Sequence, residues 1–152
     1  MHIVLVNPEI PQNTGNIART CALTRSTLHL VKPLGFSVED RYLKRAGLDY
    51  WDRVEVKLWD NFRELEEHYR NIRMYLATTK ASRTCYEAEY SLGDMLVFGC
   101  ETRGLPEEIL KRYSEHQVRI PMLDIGRSLN LSNSAAIILY EALRQNKFPG
   151  LK

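Results

Sequence analysis

The sequence has 152 residues, of which 26% are charged and 44% hydrophobic, and its formal net charge is +2. A chain of this length buries roughly 70% of the surface that its unfolded state exposes, so its stability requires neither disulfides nor a metal ion. The small net charge neither requires nor excludes a nucleic-acid partner. We expect a single domain over residues 1–152.

The three cysteines are Cys21, Cys85 and Cys100, which are far apart and do not have the spacing of metal ligands. They are typical of free thiols in a reducing compartment. Residues 1–20 lack the pattern of a secretory signal, and no apolar run approaches the roughly 18 residues of a membrane helix. We therefore predict a cytoplasmic protein with no membrane segment, and the sequence gives no sign of a metal site.

Strand and helix patterns alternate along the chain. Apolar runs predict strands at residues 2–6, 27–31, 74–77, 95–98 and 117–120. Residues 54–58 alternate between apolar and polar side chains, which predicts a half-exposed strand near a sheet edge. Helical spacing predicts a helix from near Thr14, one capped by Asp60, one with Pro106 in its first turn, and a short basic helix at 39–46. This alternation predicts an α/β fold, with a mostly parallel sheet and helices on both faces.

A last helix is predicted over residues 132–146, with Ser132 or Asn133 as its cap. It is apolar on two sides. One side carries Ala135, Ile138, Leu139, Ala142 and Leu143, and the other carries Ala136, Ile137 and Tyr140. Burying two sides requires two surfaces, of which one is the chain's own sheet. The second is expected to be another copy of the chain, and deep burial within one copy is the alternative.

The unusual loops of this sequence all come directly after predicted strands. They follow Val6, Ala77, Phe98 and Ile120. Taken singly, residues 13–19 are compatible with an ordinary capped helix, 98–106 with a strand-to-helix turn and 128–134 with a capping loop. The alternatives are an anion-binding helix end carrying Arg19 for the first stretch, a close backbone approach for the second and a pocket wall for the third. Because ligands of parallel sheets bind beyond the carboxyl ends of strands, a common site at this edge is expected.

The familiar catalytic patterns are missing. The sequence contains no Walker lysine, no dinucleotide-binding glycine pattern and no serine nucleophile elbow. The histidines at positions 2, 29, 68 and 116 lie in or beside predicted elements, and none pairs with a suitable cysteine or serine. These absences exclude the usual hydrolase arrangements.

Three stretches taken together resemble the three motifs of the SPOUT superfamily of knotted RNA methyltransferases. The first is Asn-x-Gly-Asn-x-x-Arg at 13–19, and the second is Phe-Gly-x-Glu-x-x-Gly-Leu at 98–105. The third is Ile-Pro-Met at 120–122 with Ser-Leu-Asn-Leu-Ser-x-Ser at 128–134. Residues 8–11, 45–50 and 101–106, together with the lack of an added RNA-binding domain, are similar to one minimal subgroup of that superfamily.

The resemblance implies an α/β fold whose C-terminal segment forms a trefoil knot, and a homodimer with the site at the interface between its two copies. It implies that S-adenosyl-L-methionine is the cofactor and S-adenosyl-L-homocysteine the product. The minimal subgroup methylates the ribose 2′-hydroxyl of wobble position 34 in leucine tRNAs, within the anticodon loop. Other members of the superfamily act on ribosomal RNA or on another tRNA position, and a non-catalytic RNA-binding dimer is a further alternative.

The resemblance also assigns roles to residues by motif position. The reaction would use Arg19, with Asn13, Asn130 and Tyr140 as positioning partners. The cofactor would be bound by Ala77, Thr78, Gly99, Glu101, Ile120, Met122, Ser128, Leu129 and Ser134. The tRNA would contact Arg41, Lys44, Arg45 and Arg103. An arginine is a poor base because it stays protonated, so Arg19 is expected to grip a phosphate and orient the hydroxyl.

Overall fold

The structure is a computed structural model that describes residues 1–38, 53–126 and 128–152. In chain order, the strands are β1 (His2–Val6), β2 (Thr27–Val31), β3 (Val56–Trp59), β4 (Met74–Ala77), β5 (Met95–Phe98) and β6 (Gln117–Val118). The α-helices are α1 (Pro11–Thr24), α2 (Phe62–His68), α3 (Glu107–Arg112) and α4 (Leu131–Gln145).

The described residues form a 6-stranded sheet in the order β3-β2-β1-β5-β4-β6. Every strand pair is parallel, which confirms the predicted α/β class. The strand predicted to be half-exposed is indeed an edge strand, and Leu58 on it is 47% exposed. The parallel arrangement places the carboxyl ends of all strands along one edge of the sheet.

Helices cover both faces of the sheet, as predicted. On one face, α1 and α4 pack against alternate strand residues such as Leu5, Leu30 and Phe98. On the other, α2 and α3 pack against the intervening residues, among them Val4 and Val97. Because side chains of a strand alternate between the two covered faces, β1 is apolar from Ile3 to Val6 and β5 is apolar throughout.

Two predicted helix caps are wrong. Asn61, not Asp60, caps α2, because its extended backbone lets its side chain accept a hydrogen bond from the Glu64 amide. Asp60 instead forms a 2.8 Å ion pair with Lys32. The cap of α4 is Asn130, whose side chain accepts hydrogen bonds from the amides of the two residues predicted to cap it.

Other predicted boundaries shift by a few residues. Helix α1 begins at Pro11 rather than near Thr14, which suits proline because the first helical position needs no N–H donor. Strand β6 ends at Val118, and Arg119 forms only an isolated bridge to Thr84. The predicted basic helix at 39–46 lies outside the described residues.

The cysteines Cys21, Cys85 and Cys100 are free and buried. Over the described ranges, no helix has the length and apolar character needed to cross a bilayer. The apolar side of α4 predicted to face the sheet is buried, whereas Tyr140 on its second side is 46% exposed. The trefoil knot implied by the resemblance stays a prediction.

Candidate functional site

A cavity of about 490 Å³ lies at the carboxyl edge of the sheet, where the loops after β1, β4, β5 and β6 meet. Its volume is within the range of small-molecule and cofactor sites, roughly 300–1,000 Å³. The lining is mixed: small polar side chains such as Thr78 and Ser134 alternate with apolar ones such as Phe98, Leu105 and Ile138. The four loops singled out in the sequence therefore share one site.

All of the residues predicted to bind the cofactor line this cavity. They are Ala77, Thr78, Gly99, Glu101, Ile120, Met122, Ser128, Leu129 and Ser134. Asn13, Asn130 and Arg103 line it as well. The structure thus brings the three sequence motifs to one place, and the roles of the individual residues stay predictions.

Two residues predicted to act in the reaction do not line the cavity of this single chain. Arg19 is exposed on the side of α1 that faces away from the core. Tyr140 lies on α4, with its ring centroid 6.4 Å from that of Phe148. Arg41, Lys44 and Arg45, predicted to contact RNA, lie outside the described residues.

Gly99 closes one wall of the cavity by a backbone-to-backbone contact. A Cβ atom at this position would lie 2.0 Å from the Gly104 carbonyl carbon and 2.1 Å from the Leu105 nitrogen. The Gly104 amide donates to the Cys100 carbonyl at 2.9 Å, which folds the loop back on itself. Gly104 also has φ of +72°, a conformation that favours glycine. The spacing of these two glycines therefore sets the shape of the wall.

The carboxylate of Glu101 binds the loop that follows β1. One oxygen accepts a hydrogen bond from the Glu9 amide at 2.8 Å. The other accepts from the Ile10 amide at 3.2 Å and from the side-chain amide of Asn13 at 3.0 Å. Glu101 therefore connects the first and second motifs through protein contacts.

Asn13 and Asn130 extend this network to the third motif. The side-chain nitrogen of Asn130 donates to Asn13 Oδ1 at 2.9 Å, and Asn130 Oδ1 accepts from the Ser132 amide at 2.8 Å. The orientation of both side-chain amides is fixed at the ends of the chain of bonds. At one end, an ionised Glu101 can only accept hydrogen bonds, and at the other the helix N-terminus offers only donors.

Basic side chains predominate among the charged groups of the lining. Lys80, Arg103 and Arg119 all line the cavity, and Lys80 forms a 2.7 Å ion pair with Glu107 at its rim. Such groups suit an anionic partner such as a phosphate. In the described ranges, no group of three or more His, Cys, Asp or Glu residues could hold a metal ion.

Sequence reasoning assigned no role to Glu9, Ile10 or Thr102. Ile10 and Thr102 line the cavity, and Glu9 accepts hydrogen bonds from Thr102. The stretches that contain these residues were recognised as typical of the subgroup, but neither has a periodicity that reveals contacts between residues about 90 positions apart.

Comparison with known proteins agrees with this geometry. Residues 1–140 match the SpoU rRNA Methylase family. The tRNA (cytidine(34)-2′-O)-methyltransferase of Methylovorus glucosotrophus is 54% identical over 149 residues, covering 97% of each chain. The protein of the same name from Aeromonas hydrophila is 49% identical and covers 99% of this chain and 97% of its own.

A solved structure described as giving insights into the 2-OH methylation of C/U34 on tRNA shares the fold. It superposes with a TM-score of 0.92 at 46% identity and covers 96% of this chain and 95% of its own. The likeness therefore extends over the cavity and all three motifs. This chain belongs to the SpoU rRNA methylase family of RNA methyltransferases.

Proposed function

We propose that this protein is an S-adenosylmethionine-dependent methyltransferase that modifies the ribose 2′-hydroxyl of wobble position 34 in leucine tRNAs. The observation that carries the proposal is the convergence of the three motifs on one cavity, in a chain that is similar over its whole length to enzymes named for position 34. Leucine tRNA is the substrate that the subgroup resemblance implies, and the free cysteines support a location in the reducing cytoplasm.

The cavity suits the proposed cofactor in size and chemistry. Apolar side chains such as Ile120 and Leu129 can pack on the flat faces of an adenine, and hydroxyl groups of Thr78, Ser128 and Ser134 can bind polar atoms. Bound S-adenosylmethionine would supply a methyl group on a positively charged sulfur, which the ribose 2′-oxygen takes by in-line displacement. The chain then has to align that hydroxyl and assist the loss of its proton.

Arg19 is proposed to grip the phosphate beside the target ribose. A guanidinium binds a phosphate through two parallel hydrogen bonds, which fixes orientation as well as position. Because a guanidinium has no acceptor site, the phosphate itself is the better acceptor for the hydroxyl proton. Arg19→Lys should lower turnover about tenfold, since an ammonium group retains the charge and loses the two-pronged geometry.

A homodimer would complete the site. Arg19 and Tyr140 lie away from the cavity of their own chain, so they can contribute to the cavity of a second copy. The second apolar side of α4 supports this arrangement: Ile137 is half-buried, Tyr140 is 46% exposed and neighbouring Phe148 is 38% exposed. Sedimentation of the wild type and of Tyr140→Asp tests it, with a dimer expected for the first and a shift toward monomer for the second.

The deciding experiment is methyl transfer from labelled S-adenosylmethionine to tRNA from a strain that lacks this gene, with the modified nucleotide mapped. Ribose methylation at position 34 of leucine tRNA is the expected result. Label in ribosomal RNA or at another tRNA position would support the proposed reaction and refute the proposed substrate. A thermal shift with S-adenosylhomocysteine is also expected, and its absence would favour a non-catalytic RNA-binding dimer.

A further inference from the structure

The loops that follow β1 and β5 bind each other through one carboxylate from each loop. Glu101 accepts hydrogen bonds from the amides of Glu9 and Ile10, as described above. In the opposite direction, the Glu9 carboxylate accepts from the Thr102 amide at 3.2 Å and from the Thr102 hydroxyl at 2.8 and 2.9 Å. We call this pair of reciprocal contacts, formed by Glu9, Ile10, Glu101 and Thr102, the carboxylate clasp.

The start of helix α1 depends on the clasp. Ile10, at its N-cap position, makes no side-chain cap bond, and the first turn contains no acidic residue. Helix N-termini are stabilised by a nearby carboxylate and by an acceptor for their amides. Glu101 supplies a carboxylate at this helix start from a different loop, and it also binds the buried side chain of Asn13 in the first turn.

Glu9 holds Thr102, the residue that follows Glu101. Because both Thr102 donors bind Glu9, the backbone on the C-terminal side of Glu101 is fixed relative to the loop that Glu101 itself binds. The Glu9 backbone is confined from its other side, since a Cβ atom at Gly35 would lie 2.8 Å from the Glu9 Cα. The position of Glu101, and with it the Asn13–Asn130 pair, is therefore determined jointly by both halves of the clasp.

We propose that Glu9 is a positioning residue for methyl transfer, acting through Thr102 on Glu101 and the Asn13–Asn130 pair. The inference rests on the function proposed above. Glu9 does not line the cavity, so it would act from outside it. Its effect is to keep the cavity wall that contains Ile10, Asn13 and Glu101 in one geometry, which an enzyme needs because small displacements of positioning groups reduce rates steeply.

Thr102→Val and Thr102→Ser form a matched pair for the test. Valine has nearly the shape of threonine but lacks the hydroxyl donor, whereas serine keeps it. With saturating S-adenosylmethionine, Thr102→Val and Glu9→Ala should each lower kcat about fivefold, the effect of one lost hydrogen bond to a charged group near the surface. Thr102→Ser should stay within about twofold of wild type. Glu67→Ala removes an exposed carboxylate on α2, away from the cavity, and is the control.

Hydrogen exchange reports on the clasp independently of activity. The amides of Glu9, Ile10 and Thr102 should exchange faster in Thr102→Val and Glu9→Ala than in wild type, and at the wild-type rate in Thr102→Ser. A double variant Glu9→Ala, Thr102→Val should lose no more activity than Glu9→Ala alone, because Glu9→Ala already removes the acceptor of both Thr102 donors. Additive losses in the double variant, or full kcat in Thr102→Val, would overturn the proposal.

The test also separates the clasp from the proposed substrate. If wild type transfers no methyl group to tRNA, the proposed function fails, and exchange and S-adenosylhomocysteine affinity then decide the clasp alone. Faster exchange with affinity weakened about threefold in Thr102→Val would support its role in positioning the wall. Wild-type exchange and affinity in that variant would refute it.

Discussion

Two polar networks in this protein differ in charge and in burial. The site network, formed by Glu9, Asn13, Glu101, Thr102 and Asn130, contains two carboxylates and lies along the open cavity. The second network lies within the sheet, under α2, and contains no carboxylate.

This histidine network consists of His2, His29 and Trp59. Trp59 donates its indole N–H to His29 Nδ1 at 3.0 Å, so the His29 proton is on Nε2, 3.0 Å from His2 Nδ1. His29 is fully buried. Burial, with the positive charges that His2 and Lys57 can carry nearby, lowers the pKa of His29 to about 3. Burial likewise lowers the pKa of His2.

The difference shows how location determines what a polar network can do. An ion without a partner is costly to bury, so a buried polar network is stable only when its groups are neutral. The role of such a network is therefore to pack the interior. A network at a cavity retains access to water and ligand, so it can carry charge. The site network can thus connect three loops by charge-assisted hydrogen bonds, which are stronger than bonds between neutral groups.

The largest expected effect comes from Gly99→Ala, which disrupts the wall beside the site network. The new Cβ would lie 2.0 Å from backbone carbon, which no side-chain rotation can relieve. We expect a loss of about 3 kcal/mol or more in the free energy of unfolding, measured by denaturant titration. Gly104→Ala is the control: it has open space and a strained φ, and should cost only about 1–2 kcal/mol. Equal losses of unfolding free energy in the two variants would contradict a close backbone contact at Gly99.

The histidine network should make stability depend on pH. The pKa of His29 in the folded state, about 3, lies below the usual histidine value of 6.5, so below pH 6.5 the unfolded chain binds a proton that the folded chain does not. Stability is therefore fully present above pH 6.5 and falls as pH decreases, by about 2 kcal/mol between pH 7.5 and 5 for His29 alone. Denaturant titrations of wild type and His29→Gln over this range test the effect. A slope as steep in the variant as in wild type would be inconsistent with it.

Asn130→Asp should separate the cap of α4 from the site network. The new carboxylate can still accept from the Ser132 amide, but it has no donor for Asn13 Oδ1. Methyl transfer is expected to fall about tenfold, while the free energy of unfolding changes by less than about 1 kcal/mol. The matched control is Asn133→Asp, because Asn133 is exposed and lies three residues further along, in the first turn of α4. A similar loss of transfer in both variants would show that added charge, not the lost donor, is responsible.

The smallest effect is expected from an ion pair that belongs to neither network. Arg63 and Glu67 pair at 3.0 Å on the surface of α2, with 81% and 54% of their side chains exposed. Arg63→Gln should change the free energy of unfolding by less than about 0.5 kcal/mol, and less at high salt. Thermal denaturation at low and high ionic strength checks this, and a larger change would mean that helix α2 depends on charge more than its apolar contacts suggest.

Much of the candidate site could be predicted because parallel strands place their carboxyl ends together. Once the strands ending at Val6, Ala77 and Phe98 were identified, the loops beyond them had to share one edge. This explains why the predicted cofactor residues all line the cavity. The partners of Glu101 were not predictable in this way, because Glu9 lies 92 positions earlier and no local pattern records which backbone amides a carboxylate will meet.

The sequence by itself determined the sheet's central strands, because their apolar runs are continuous and have no other low-energy place than a two-sided core. It also determined the buried side of α4, where spacing alone separates Ala135 and Ile138 from Tyr140. Only the tertiary structure decided the caps and the clasp. Whether Asn61 or Asp60 caps a helix depends on the backbone angles that packing imposes at each position. Whether Glu101 accepts from the Glu9 amide while the Glu9 carboxylate accepts from Thr102 depends on two loops that only the folded sheet brings together.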